Sequence, residues 1–313
     1  MILLFPGQGS QKPGMGKDIA AAFPAARDVF ARADAVLGTP LSALCFEGPA
    51  EELTRTHNAQ PALLAHGAAV WAVVKEHVAA NVRAAAGHSL GEFSAHHAAG
   101  ALSLEDAVTL VRRRGQLMYD TGVQVPGAMA AILGEMQRTI EEICAEASAH
   151  GVVVPANYNT PEQIVISGEV AAVESAMGLA KAAGAKRALR LPVSGAFHSP
   201  LMAPAVAGLR EALDAAHFRD PLVPVWSNVT AEAVGDAGTA RDLLHRQLTS
   251  PVRWVEVVRN IAARFPGTTF VEMGPGAVLS GLVKRLAPDC RTMTCGTAGE
   301  VEALISHLQS AVP

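Results

Sequence analysis

Apolar runs punctuated by Gly and Pro organise the chain. Ile2-Leu3-Leu4-Phe5 is a continuous apolar run stopped by Pro6-Gly7-Gln8-Gly9-Ser10. That pattern predicts a strand buried on both faces that feeds a tight loop. Alanine-rich stretches with helical spacing follow over 20–37 and 60–78. Ala84-Ala85-Ala86 then leads through Gly87-His88-Ser89-Leu90-Gly91 straight into another helical pattern ending at Gly100, so a strand, a sharp turn and a helix are expected in succession. Helical spacing continues over 105–118 through Ala107, Leu110 and Val111, with a basic face read at Arg112, Arg113 and Arg114.

The segment Gly122 to Gly127 reads as a Gly/Pro-marked boundary, and beyond it the pattern shortens. Strands are predicted over 128–133, 152–157, 163–167 and 186–193, with helices over 137–149 and 170–183 and a turn at Asn159-Thr160-Pro161. This βαββαβ order is that of a ferredoxin-like unit, whose ends can lie close enough for insertion into a larger domain. Longer helices return after Ser194-Gly195, over 201–215, 240–248, 254–264 and 278–286, with strands over 223–227 and 270–272. Residues 1–125 and 195–313 are therefore assigned to one α/β core, and residues 126–194 to an inserted unit.

Composition narrows the function classes. Half of the 313 residues are hydrophobic and 17% are charged, enough apolar material for a large core and too little polar bias for disorder. A net charge of −4 with 4% aromatics argues against nucleic-acid binding and against a general attraction to anionic membranes. Cys45, Cys144, Cys290 and Cys295 are too scattered for a disulfide framework or a zinc site, so reduced thiols and a cytoplasmic location are expected. The opening apolar run lacks a basic flank and is too short for a secretory signal.

Gly87-His88-Ser89-Leu90-Gly91 fits the Gly-x-Ser-x-Gly nucleophile elbow. Small residues two before and two after the serine let neighbouring chain pass closely, and the following helix aims its N-terminus at the reacting centre. A serine nucleophile needs a base. Among eleven histidines, His88, His96 and His97 read as packing residues, whereas His198 stands in the loop Ser194-Gly195-Ala196-Phe197-His198-Ser199-Pro200. An ordinary triad needs an acid between the two, but Asp106 and Asp120 are not in post-strand loops. A dyad whose imidazole is oriented by backbone carbonyls is therefore favoured.

Together, Phe5-Pro6-Gly7-Gln8-Gly9-Ser10-Gln11, the elbow with Glu92, Arg114-Gly115, Pro126-Gly127-Ala128-Met129, Ala156-Asn157-Tyr158-Asn159, Phe197-His198 and Glu272-Met273-Gly274-Pro275-Gly276 resemble malonyl-CoA:acyl-carrier-protein transacylases from residue 2 to about 296. The resemblance implies an α/β-hydrolase-like core with an inserted ferredoxin-like subdomain. It implies Ser89 as the acylated nucleophile, His198 as its base, the amides of Gln8 and Leu90 as an oxyanion hole, and Arg114 as the clamp on the malonyl carboxylate. Gln247 matches a position whose carbonyl orients the histidine; Phe197 matches a bulky selectivity residue, and Asn157 and Gln60 match positions near the pocket. Malonyl-CoA is the implied substrate and an acyl carrier protein bearing phosphopantetheine the implied partner, with no metal or redox cofactor. Lys181, Lys186, Arg187 and Arg190, or Lys284 and Arg285, are candidate carrier contacts. A polyketide acyltransferase acting in trans, with malonyl or another extender unit, and a serine thioesterase or esterase remain as alternatives.

Overall fold

Alternation along β1 (Ile2–Phe5) divides the main body into two apolar layers. In this computed structural model, which describes residues 1–193 and 195–310, Leu3 and Phe5 pack into one cluster while Ile2 and Leu4 pack into the other. Period-two side chains on a strand covered on both sides produce this partition. Helices Thr56–Val78, Gly91–Ala98 and Leu104–Gln124 line the first layer. Trp254–Arg264 and Val278–Leu286 line the second.

The first sheet uses β1, β2 (Ala84–Gly87), β7 (Val225–Trp226), β8 (Ala233–Val234), β9 (Thr269–Glu272) and β10 (Arg291–Thr294), in the order β10-β9-β1-β2-β7-β8. All pairings are parallel except β7 with β8. The loops after β1, β2 and β7 therefore leave the same edge side by side, where open parallel sheets place their sites. The buried Glu272 carboxylate at the end of β9 accepts from the amides of Leu279 (3.0 Å) and Ser280 (2.7 Å). That contact caps the next helix and gives the Glu272-Met273-Gly274-Pro275-Gly276 motif a structural role.

The second sheet contains β3 (Ala128–Leu133), β4 (Val153–Thr160), β5 (Gln163–Gly168) and β6 (Arg187–Arg190), antiparallel in the order β4-β5-β3-β6. Helices Ile140–Ala147 and Val170–Ala182 cover it around Ala130, Ile132, Ile143 and Val173. The main body holds this sheet through backbone bonds from Val252 N to Ala156 O (2.8 Å) and from Tyr158 N to Val252 O (2.9 Å). The boundary read at Ser194 and the last core residues 311–313 lie outside the described residues.

Several local expectations change. The helix before the inserted sheet runs through Gly122 to Gln124: Val123 and Gln124 are exposed, and the last turn closes with the Val125 amide on the Thr121 carbonyl (2.7 Å). The turn expected at Asn159-Thr160-Pro161 starts later, since β4 pairs through Thr160 opposite Gln163. Arg112, Arg113 and Arg114 do not form one basic face. Successive helical residues point about 100° apart, so Arg113 is exposed, Arg112 is half-buried and Arg114 is buried. Among the described residues no helix is long and apolar enough to cross a membrane, and all four cysteines are free thiols.

His66 and His96 are fully buried, and burial pushes both imidazoles down to about 4. The folded chain keeps them neutral while the unfolded chain takes up protons near the ordinary 6.5. Their contribution to stability is whole above that value and declines as the pH falls toward 4. Neither ring nitrogen of His96 has a hydrogen-bond partner among the described residues. His96→Leu is therefore expected to reduce the stability lost between about pH 7.5 and about pH 5 by roughly 1–2 kcal/mol, measured by urea unfolding. A loss as large as in the wild type contradicts this assignment.

Candidate active site

Backbone sterics create the turn that carries Ser89. A Cβ on Gly87 would lie 1.9 Å from the backbone of Gly91, and one on Gly91 would lie 2.1 Å from the carbonyl oxygen of Phe5. The elbow thus passes over the end of β1 only because both positions are glycine. Ser89 itself has φ of +53°, and His198 has φ of +57°, the left-handed region that L side chains rarely adopt. The Asn228 side chain holds the strained turn: its Oδ1 accepts from Ser89 N (2.7 Å) and its Nδ2 donates to Gly87 O (2.7 Å).

Ser89 Oγ lies 2.8 Å from His198 Nε2. On its other side, His198 Nδ1 faces the carbonyl oxygens of Gln247 (3.0 Å) and Ser250 (3.1 Å). Two acceptors at Nδ1 assign the proton there and leave Nε2 free to accept from the serine. Neutral carbonyls thus stand where a triad places its acid. Burial first, and then the neighbouring Arg114 charge, push the imidazole down to about 3.

Arg114 is 1% exposed. Its Nη1 donates to Gln60 Oε1 (2.8 Å), and its Nη2 donates to Gln247 Oε1 (2.9 Å) and Ser89 Oγ (3.1 Å). The Phe93 ring lies 5.6 Å from the guanidinium carbon. Desolvation lowers the guanidinium to about 10, opposed by the Glu92 charge, so it remains a cation at neutral pH. Its Nε has no acceptor among the described residues. A buried cation with a spare donor, beside a serine poised on a base, suits an acyl group carrying its own carboxylate.

A cleft of about 100 Å³ opens at these groups, lined by Ser89, His198, Arg114, Gln60, Met118 and Phe197 among others. That is smaller than the ~150 Å³ of a cavity that holds benzene, a scale suited to a short acyl group. Gln8, Leu90 and Asn157 also line it. The amides of Gln8 and Leu90 have no acceptor among the described residues, so both are available to an oxyanion. Asn157 Oδ1 is buried without a partner. All nine site residues expected from the sequence thus meet here, Gln247 through its backbone oxygen and its side chain alike. His88 also lines the cleft, its Nε2 2.8 Å from Asn159 Oδ1. The aspartates set aside earlier are occupied elsewhere, Asp106 with Ser103 and Asp120 with Gln116.

Sequence reasoning missed Asn228 and the carbonyl of Ser250, and read Glu92 only as part of a motif. The signal for Asn228 was available: a polar run, Ser227-Asn228, directly follows a strand. No residue type marks a carbonyl such as that of Ser250.

Residues 2–307 match the acyl transferase domain family. The chain is 48% identical over 310 residues to the malonyl CoA-acyl carrier protein transacylase of Bacillus subtilis (strain 168), covering 99% of this chain and 97% of that protein. Its fold is similar to the acyl-carrier-protein S-malonyltransferase of Bartonella henselae, with a TM-score of 0.94 at 44% identity over 98% of this chain and 99% of that one. It is also similar to a malonyl-transacylase solved with a type II PKS acyl-carrier protein, with a TM-score of 0.93 at 42% identity over 98% and 99% of the two chains.

The glycine constraint is directly measurable. Gly91→Ala is expected to destabilise the chain by roughly 3 kcal/mol or more, because its Cβ meets backbone that cannot yield. Chemical or thermal unfolding reads the change, and a loss under about 1 kcal/mol contradicts the close approach.

Proposed function

The chain belongs to the acyl transferase family, and from that premise we propose that it transfers a malonyl group from malonyl-CoA to the phosphopantetheine thiol of an acyl carrier protein through a malonyl ester on Ser89. The observation that carries the reading is the buried Arg114 guanidinium 3.1 Å from Ser89 Oγ. A simple esterase has no need to maintain a desolvated cation beside its nucleophile, whereas a diacid thioester supplies the missing anion.

The steps balance without a metal or redox cofactor. Ser89 Oγ attacks the thioester carbonyl while its proton passes to His198 Nε2, and the amides of Leu90 and Gln8 receive the oxyanion. The carbon–sulfur bond breaks, the proton returns to the departing CoA sulfur, and a malonyl-serine ester remains. The carrier's thiol then gives its proton to His198 and attacks the ester, and Ser89 recovers the proton as it leaves. One thioester is exchanged for another, so the overall reaction is near balance and reversible.

The same charge arrangement bears on selectivity. Arg114 is one of the causes that lower the basicity of His198. A malonyl carboxylate on Arg114 offsets that charge, so the acceptable substrate also strengthens the base. An acetyl group does neither. Phe197, buried at the cleft, crowds substituents on the α-carbon. A methyl group there is worth ~1–3 kcal/mol.

Carrier docking fits the basic groups around the inserted sheet. Lys181, Lys186, Arg187 and Arg190 are exposed there, with Arg190 3.3 Å from Glu174, and Lys284 and Arg285 are exposed on the main body. The similarity to a transacylase solved with a type II PKS carrier makes a polyketide carrier a second candidate recipient. The chemistry is the same with either carrier.

Ser89→Ala is expected to give no malonyl adduct by intact mass spectrometry after exposure to malonyl-CoA; an adduct of wild-type abundance contradicts the nucleophile. Arg114→Ala is expected to lower kcat/KM for malonyl-CoA by at least about thirtyfold, as loss of a buried charge pair does. Transfer from acetyl-CoA should change far less, and equal losses with the two substrates exclude a carboxylate clamp.

A further inference from the structure

Glu92 is fully buried in the first turn of the helix that follows the elbow, and the transfer chemistry above gives it no task. Its Oε2 accepts from Gln247 Nε2 (2.6 Å) and from the backbone amide of Asn228 (3.0 Å). Each partner leads to the reacting centre. Gln247 turns its Oε1 to Arg114 Nη2 (2.9 Å), and its backbone oxygen faces His198 Nδ1 (3.0 Å). Asn228 holds the amide of Ser89 (2.7 Å) and the carbonyl of Gly87 (2.7 Å).

The two ends of a carboxamide are nearly equal in shape and opposite in hydrogen bonding. An ionised carboxylate only accepts, so together with the Ser89 carbonyl, 3.1 Å from Gln247 Nε2, it draws the NH2 end of Gln247 toward itself and leaves the oxygen for Arg114. The opposite orientation would set an NH2 group against the guanidinium, donor against donor. A protonated Glu92 can donate as well as accept, so the choice then rests on Arg114 and the Ser89 carbonyl alone and the lock is weaker. We propose that Glu92 is a positioning residue for malonyl recognition: as a carboxylate it locks the Gln247 carboxamide, which in turn holds the Arg114 guanidinium at Ser89. This rests on the transfer reading given above.

Arg114 is the charged group that acts on Glu92, while Asn228 and Gln247 hydrogen-bond its Oε2, Ser227 lies nearby, and its Oε1 has no hydrogen-bond partner among the described residues. His198 bears on the same site and stays neutral through the working range, lowered to about 3. Burial raises Glu92 to about 7, with its hydrogen bonds and Arg114 pulling the other way. Malonyl transfer should therefore decline as the pH falls through neutrality while acetyl transfer, which needs no carboxylate clamp, stays level.

The test uses the purified full chain with carrier protein, comparing wild type with Glu92→Gln on malonyl-CoA and acetyl-CoA across that pH range. The preference for malonyl over acetyl is expected to fall about tenfold or more in the variant, the scale of a lost charge-assisted hydrogen bond. The fall should reside mainly in KM, and the neutral-pH decline should vanish. A variant that keeps the wild-type preference and profile overturns the positioning role. Should Glu92→Gln fail to fold, the wild-type profiles decide: a decline confined to malonyl-CoA supports the role, and parallel profiles overturn it. A wild type that transfers no malonyl overturns the functional reading itself, and this role with it.

Discussion

A cation taken almost wholly out of water, 3.1 Å from the serine hydroxyl, is the constraint around which this site is arranged. Burying a guanidinium costs several kcal/mol unless its donors are met. Gln60 and Gln247 meet two of its nitrogens with neutral oxygens, and the buried Glu92 supplies a countercharge through Gln247 rather than by direct contact. A carboxylate bonded directly to Arg114 would compete with any incoming anion. Placing the amide of Gln247 between the two charges balances the site while leaving the guanidinium able to receive a diacid.

The base follows from the same arrangement. Carbonyl oxygens orient His198 but add no negative charge, and burial beside a cation keeps its imidazole neutral. Such a histidine is a weak base before substrate arrives. The geometry compensates by holding Ser89 Oγ at hydrogen-bond distance, and both members of the pair adopt left-handed backbone. Strain of this kind costs of order 1–3 kcal/mol per residue and persists only where surrounding contacts enforce it. At Ser89 those contacts are the two bonds from Asn228 and the glycines that admit the end of β1.

Much of this was legible in the residues because it depends on local chemistry. The buried run 2–5, the glycines around Ser89 and the loop histidine each carry a pattern whose physical cause is short-range. The strands over 128–133 and the helices over 254–264 and 278–286 agree with the bounds read from periodicity. What stayed hidden depends on long-range placement. Helical spacing alone reads three consecutive arginines as one basic face; the family resemblance singles out Arg114, and only packing against Phe93 and Gln60 shows that it is buried. The short strands Ala233–Val234 and Arg291–Thr294 lack an apolar run because they lie at the sheet edges. The carbonyl of Ser250 leaves no trace in residue identity, since any residue supplies one, and that of Gln247 is reached only through the family resemblance.

The most direct test is a crystal structure of the acyl-enzyme trapped with malonyl-CoA. The account predicts an ester on Ser89 whose free carboxylate lies within hydrogen-bond distance of the Arg114 guanidinium, with the ester carbonyl directed at the amides of Gln8 and Leu90. An acyl group carried on another residue, or one whose carboxylate points to solvent away from Arg114, contradicts it.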